Sequence, residues 1–286
     1  NQFIIVRDGA VIDVSGAQAD LDLGLEGPTT VSGDAGGLAM RSNAGIYFDG
    51  ELRAESGGDG AAGGSLDVML ETIALPVNIG DERQTELRTI VVGEGIESGL
   101  PSDLTAGKDD SALRFGQARF DSEDIEAWGV DSLSLWAQDA ILFEGDTGLD
   151  LGGKIELSAA VIGAAPETRD IQVALAAPYV RLAGRTELPT VPGSSNQQGP
   201  GPFFEFENGH ISPNSTHESS RFSVSADLID LGQGAVTFGG HGTRGLLGGG
   251  EAEVDLPGFA RVTLDSRGDI RMDNAVLTAQ PELEVI

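Results

Sequence analysis

The sequence predicts an all-β chain, more narrowly a right-handed parallel β-helix (a β-solenoid) with two loop excursions. Three observations predict it. Val, Ile and Leu recur mostly at period two, the strand period. Short glycine-bounded segments resemble one another along the chain. Helix patterns are scarce, and Asn208-Gly209 is the one Asn-Gly hairpin signal, which argues against an antiparallel meander. A β-sandwich or jelly roll also uses many short strands and is the competing architecture.

The elements follow in chain order. Gly9-Ala10-Val11-Ile12-Asp13-Val14-Ser15-Gly16 is a short alternating stretch closed by glycines, and Gly50-Glu51-Leu52-Arg53-Ala54-Glu55-Ser56-Gly57 resembles it 41 residues later. Gly36-Gly37-Leu38 recurs as Gly63-Gly64-Ser65-Leu66 and as Gly152-Gly153-Lys154-Ile155. Val130 to Ala137 alternates cleanly. Leu133-x-Leu135 followed by Asp139-Ala140-Ile141-x-Phe143 matches Val262-x-Leu264 followed by Gly268-Asp269-Ile270-x-Met272. No coil buries its apolar face alone, but stacking coils at ~4.8 Å closes a continuous aliphatic core. Such a narrow interior is expected to be filled by aliphatics rather than rings, in keeping with 5% aromatic residues. Ile12, Leu52, Leu133, Leu135, Ile141, Ile155, Val180, Leu182, Val224, Leu264 and Ile270 are the expected inward positions.

The excursions are placed at about 81–110 and 186–220. The first is polar and holds one apolar strand, Thr89-Ile90-Val91-Val92. The second holds Pro189, Pro192, Pro200, Pro202 and Pro213, and proline cannot donate to a strand ladder. Phe203, Phe204 and Phe206 in this loop are the concentrated ring surface of the chain. On an extended segment the rings share one face and Glu205 and Glu207 the other. They are the candidate ligand-contact residues; bracing the loop against the coils is the structural alternative.

Composition excludes several classes. The chain has 286 residues, 17 Lys+Arg against 46 Asp+Glu, a formal net charge of −29, 42 Gly and no Cys. A disulfide framework, a cysteine–zinc site and a cysteine nucleophile are excluded. Nucleic-acid binding needs a basic surface that this composition denies. Apolar runs such as Phe3-Ile4-Ile5-Val6 are far shorter than the ~20 residues that span a bilayer, so the chain is expected not to be membrane-spanning. It begins at Asn1 and ends on Val285-Ile286, and residues 1–286 are read as a single β-helical segment of a larger protein.

The sequence resembles the filamentous-haemagglutinin family of two-partner-secretion exoproteins. The residues that carry the resemblance are the Gly9–Gly16 stretch, Gly45-Ile46-x-x-x-Gly50-x-Leu52-x-Ala54, Asp131-Ser132-Leu133-Ser134-Leu135-x-Ala137-x-Asp139-Ala140-Ile141, Ala176-Ala177-Pro178-Tyr179-Val180-Arg181-Leu182 and Ser266-Arg267-Gly268-Asp269-Ile270-Arg271. It implies a right-handed β-helix and export, through the parent protein, by a dedicated outer-membrane transporter. It also implies a secreted or bacterial cell-surface location and a role as adhesin or stalk, with a host or bacterial surface receptor or glycan as partner.

Candidate chemistry is sparse, and no catalytic, cofactor-binding or metal residue is assigned. The acidic pairs Asp20-x-Asp22, Asp109-Asp110 and Asp121-x-Glu123-Asp124 read as solvated turns and faces, as expected among 46 acids. Arg114 and Arg119 are expected to form surface ion pairs near Asp121. His210, His217 and His241 lack a zinc spacing, and no Gly-x-Ser-x-Gly elbow occurs. Gly57-Gly58-Asp59-Gly60 resembles a calcium-binding glycine/aspartate repeat, but its nonapeptide register does not recur, so calcium is kept only as a weak alternative to having no cofactor. Asn214-Ser215-Thr216 matches a glycosylation sequon. The function expected is a structural and adhesive segment acting as a rigid shaft. A β-helical polysaccharide lyase or hydrolase and a passive filament-forming unit are the alternatives.

Overall fold

The computed structural model describes residues 3–22, 24, 27–71, 86–105, 112–184, 204–206, 216–245, 251–279 and 282–286. The described chain is all-β and mostly parallel, with one helix, Ser122–Ala127. A ten-stranded sheet contains Gly37–Ser42, Gly64–Leu70, Val130–Ala137, Lys154–Ser158, Gln172–Ala183, Thr216–Thr237, Gly258–Ser266 and Glu282–Val285 in spatial succession, with Thr147–Asp150 and Ile270–Thr278 joined to its long strands. A six-stranded sheet runs Phe3–Val6, Gly45–Phe48, Gln117–Asp121, Thr89–Gly93, Ala140–Phe143, Val161–Ala164. The antiparallel pairings among the described strands are Gln18–Asp22 with Pro28–Ser32, and a small sheet of Phe204–Phe206, Gly240–Gly245 and Glu251–Leu256.

In-register parallel pairing turns the sequence repeats into columns of like side chains. One column runs Leu38–Leu66–Leu133–Ile155–Val180–Ile229–Ile270, and its neighbour runs Met40–Val68–Leu135–Leu157–Leu182–Leu231–Met272. The second face carries Leu149–Leu175–Val224–Leu264–Val285. The six-stranded sheet adds Ile4–Ile46–Ala118–Ile90–Ile141–Ile162. Residues of all three faces meet in one buried cluster. Each fully buried Leu or Ile contributes ~1.5–3 kcal/mol of transfer free energy. The long strands turn between faces at Pro178 and Asp227, where the register skips a residue on both strands and inward positions pass from Ala177 to Val180. Proline suits the corner because it has no N–H to leave unpaired.

Of the expected inward positions, Leu52, Leu133, Leu135, Ile141, Ile155, Val180, Leu182, Val224 and Leu264 are buried, and Ile12 and Ile270 pack half-buried against the same cluster. The Gly-Gly repeat also holds, because Leu38, Leu66 and Ile155 share a column. Three expectations change. Val11–Asp13 pairs with Glu51–Arg53 as Val11↔Glu51 and Ile12↔Leu52, one residue away from the glycine-to-glycine alignment. A one-residue slip exchanges the two faces of a strand, and the true register is the one that stacks Ile12 on Leu52. Leu133 and Leu135 stack in line with Ile270 and Met272, not with Val262 and Leu264, because the same apolar-x-apolar pattern recurs in two separate sets of stacked strands. The interior is also not free of rings: Phe143, Phe222, Phe238 and Phe259 meet with centroids 5.0–6.3 Å apart. They fill the core beside Gly239, where the antiparallel strand Gly240–Gly245 begins.

Thr89–Gly93, within the first expected excursion, is an inner strand of the six-stranded sheet. Residues 81–85, 106–110, 186–203 and 207–215 of the two excursions lie outside the described residues, as do Phe203, Asn208-Gly209, His210 and Asn214. Among the described residues no helix is long and apolar enough to cross a membrane.

Candidate functional site

The site is built on the outer face of the six-stranded sheet. Alternate residues of its strands face away from the core: Ile5 and Tyr47 in register, and Arg119, Val91, Leu142 and Gly163 in register. Tyr47, Val91 and Leu142 are nevertheless buried, so other segments cover them. Leu100, Leu104 and Leu113 pack on Tyr47, Phe3 and Ile5. The Tyr47 hydroxyl accepts the Arg114 backbone N–H at 2.7 Å, and burial raises its pKa above the ordinary tyrosine value. Arg7 pins the same cover by donating to the Leu104 carbonyl. At the other side Leu256 and Val254, from the antiparallel sheet, pack on Val91, Ala140, Leu142 and Val161.

Between the two covers an open trough of about 890 Å³ remains. Its floor comes from Thr89, Val91, Gln117, Arg119 and Leu142, and its rim carries Glu86, Arg114, Glu144, Glu167 and Asp255. The Arg119 guanidinium grips Glu144 with both terminal nitrogens at 2.9 Å and donates through Nε to the Glu97 carbonyl at 2.9 Å. A planar fork held at three points is a fixed feature rather than a mobile charge. The trough joins an apolar strip to a rim of mixed charge, the composition of a site that orients a ligand by a few polar contacts. Its size falls within the ~300–1,000 Å³ usual for such sites.

Arg119 therefore pairs with Glu144 and not with Asp121. Asp121 instead caps the helix Ser122–Ala127, accepting the Glu123 N–H at 2.9 Å, with Glu123 and Asp124 in the first turn. Carboxylates at that position complement the helix N-terminus. Burial, reinforced by Asp121, raises the Asp124 pKa above the ordinary carboxylate value.

At the end of the glycine-rich segment 57–64 the Gly63 N–H donates to the Asp131 carboxylate at 2.6 Å, while Asp59 is exposed. Among the described residues no three His, Cys, Asp or Glu side chains are grouped to hold a metal. Phe204 and Phe206 lie on a strand in register with Arg244 and Gly242. The side chains of Phe204 and Phe206, like the whole of Phe203, lie outside the described residues. His217 stands in register with Phe259, and His241 with Asp255.

No motif announced the trough, since its rim residues come from five separate loops and strand ends. Its one sequence trace is Val91 and Leu142, apolar at outward positions. Comparison with protein-family models, with curated proteins and with solved structures gives no match.

Proposed function

We propose that the chain is a right-handed parallel β-helical segment of a secreted bacterial surface exoprotein of the filamentous-haemagglutinin kind, exported through an outer-membrane transporter by way of its parent protein. It acts as a rigid shaft, with the trough and the small antiparallel sheet forming the surface that meets a cell-surface receptor or glycan. The supporting observation is the run of seven in-register aliphatic rungs from Leu38 to Ile270. Such a stack buries a continuous core and leaves specificity to what projects from it. The test is binding of the purified chain to a glycan array and to whole cells, beside the variant Gln117→Arg/Glu167→Arg. Saturable binding that the variant loses supports the reading, and absence of binding to every surface contradicts its adhesive part.

A second reading, a β-helical carbohydrate-active enzyme, rests on Glu86, Glu144, Glu167 and Asp255 lining one trough. Carboxylate pairs carry out glycoside cleavage, although Arg119 already engages Glu144. Release of reducing ends or unsaturated products from a panel of acidic polysaccharides would favour this reading.

A further inference from the structure

The ten-stranded sheet ends on strands with no outer partner among the described residues. Gly37–Ser42 forms one edge, and Ile270–Thr278 and Glu282–Val285 form the other. An edge strand offers its unpaired backbone N–H and C=O groups to any further strand. At the second edge the apolar columns stop in solvent. Met272 is 58% exposed, while Leu231 beside it in the column is 2% exposed. Leu283 and Val285 are 41% and 55% exposed, beside Val262 and Leu264 at 0%. Several charges at this edge are engaged within the chain, Arg271 by Asp230 and both Glu282 and Glu284 by Arg261. They guard the edge less than free charges do.

The two edges match. Leu38 and Met40 open the same two columns that Ile270 and Met272 close, and every pairing between them is parallel. A second copy displaced along the stacking direction brings its Gly37–Ser42 beside Ile270–Thr278 in parallel register. That register sets Leu38 on Ile270, Ala39 on Arg271, Met40 on Met272 and Arg41 on Asp273. The Arg41 side chain is 44% exposed and holds Glu71 at 2.8 and 2.7 Å. Asp273, itself exposed, gives it a second carboxylate. A slip of one residue sets Leu38 on Asp269 or Arg271 and puts a charge into the apolar column.

We infer that the chain associates head to tail with a second copy of itself, adding the strand Gly37–Ser42 of one copy to Ile270–Thr278 of the other. The operation is a displacement and not a two-fold rotation, so the contact repeats and the product is an open series. Such assembly lengthens the shaft. Each copy carries a formal charge of −29. Mutual repulsion therefore opposes association at low ionic strength, and salt that screens it favours association.

The test is sedimentation velocity of the intact chain from micromolar to millimolar concentration in high salt. A series of species that lengthens with concentration is expected. Met272→Lys should melt like the parent, because the residue is exposed, yet move the series to roughly tenfold higher concentration, because association now buries an unpaired charge. Direction is read by disulfide trapping, since the chain has no Cys and parallel neighbours ~4.8 Å apart lie within disulfide reach. Ala39→Cys mixed with Arg271→Cys should link mainly to each other, several-fold above either variant linking to itself. A single species at every concentration, growth that stops at a dimer, a Met272→Lys variant that assembles like the parent, or Arg271→Cys linking chiefly to itself overturns the proposal.

Discussion

Among the described residues Arg88 is the one fully buried cation. Its Nε donates to the Glu71 carbonyl at 3.3 Å, a terminal nitrogen donates to the Glu86 carbonyl at 2.5 Å, and its backbone N–H donates to Asp139 at 2.7 Å. Burial lowers the pKa of its guanidinium, and Asp139 opposes that shift. The residue ties the strand Thr89–Gly93 to the turn before Ala140–Phe143. Removing one side of a buried charged network leaves the other uncompensated, at ~3–5 kcal/mol. Arg88→Ala should therefore lower Tm in a calorimetric scan by roughly 10 °C, and Arg88→Lys by less. A second network lies on the outer surface. Tyr179 donates to Asp230 at 2.8 Å, and Arg271 holds the same carboxylate at 2.6 and 2.7 Å. Burial, then the Asp230 carboxylate, pushes the Tyr179 phenol up to about 12. Because the folded value is raised, the stability it contributes is complete below the ordinary value of 10 and is lost as pH rises through about 12. Asp230, held below the ordinary carboxylate range chiefly by Arg271, contributes stability above that range that is lost on acidification. An absorbance titration of the folded protein should show no phenolate from Tyr179 at pH 10, and Asp230→Asn should bring its ionisation to lower pH.

At the scale of the strand, the column is the unit of stability. Leu135 sits between Val68 and Leu157 and is 1% exposed. Leu135→Asp buries a charge with no partner and should cost several kcal/mol, read as an early, less cooperative urea transition. Leu135 also shows what the sequence made legible. Period-two alternation located its strand and its inward side, and the Gly-Gly-x-aliphatic repeat found the column of its neighbour Leu133. Alternation alone did not fix register between distant strands, since glycines at Gly9 and Gly50 mark turns whose lengths differ by one residue. Nor did it separate the two sets of stacked strands that carry the same apolar-x-apolar pattern. The helix Ser122–Ala127 was hidden because its acids read equally well as a solvated turn; Asp121 as a cap, with Glu123 and Asp124 in the first turn, was the available signal.

For the whole molecule, the all-β, mostly parallel character was readable because burial repeats the same residue types along successive strands. The trough and Arg88 were not, because each is assembled once, from positions brought together only by the stack. The chain lacks cysteine, so single pairs of spin labels can be placed on it without interference. Ala39, Asp67, Ser134, Glu156, Arg181, Asp230 and Arg271 form one outward column in that order. With one label at position 39 and the other at 156, 181, 230 or 271, pulsed electron–electron resonance measures the rise of the stack directly. Backbone separations should be about 14, 19, 24 and 29 Å, growing by one strand spacing of ~4.8 Å per rung. Distances that level off, reverse or scatter between successive rungs would contradict a continuous stack of coils.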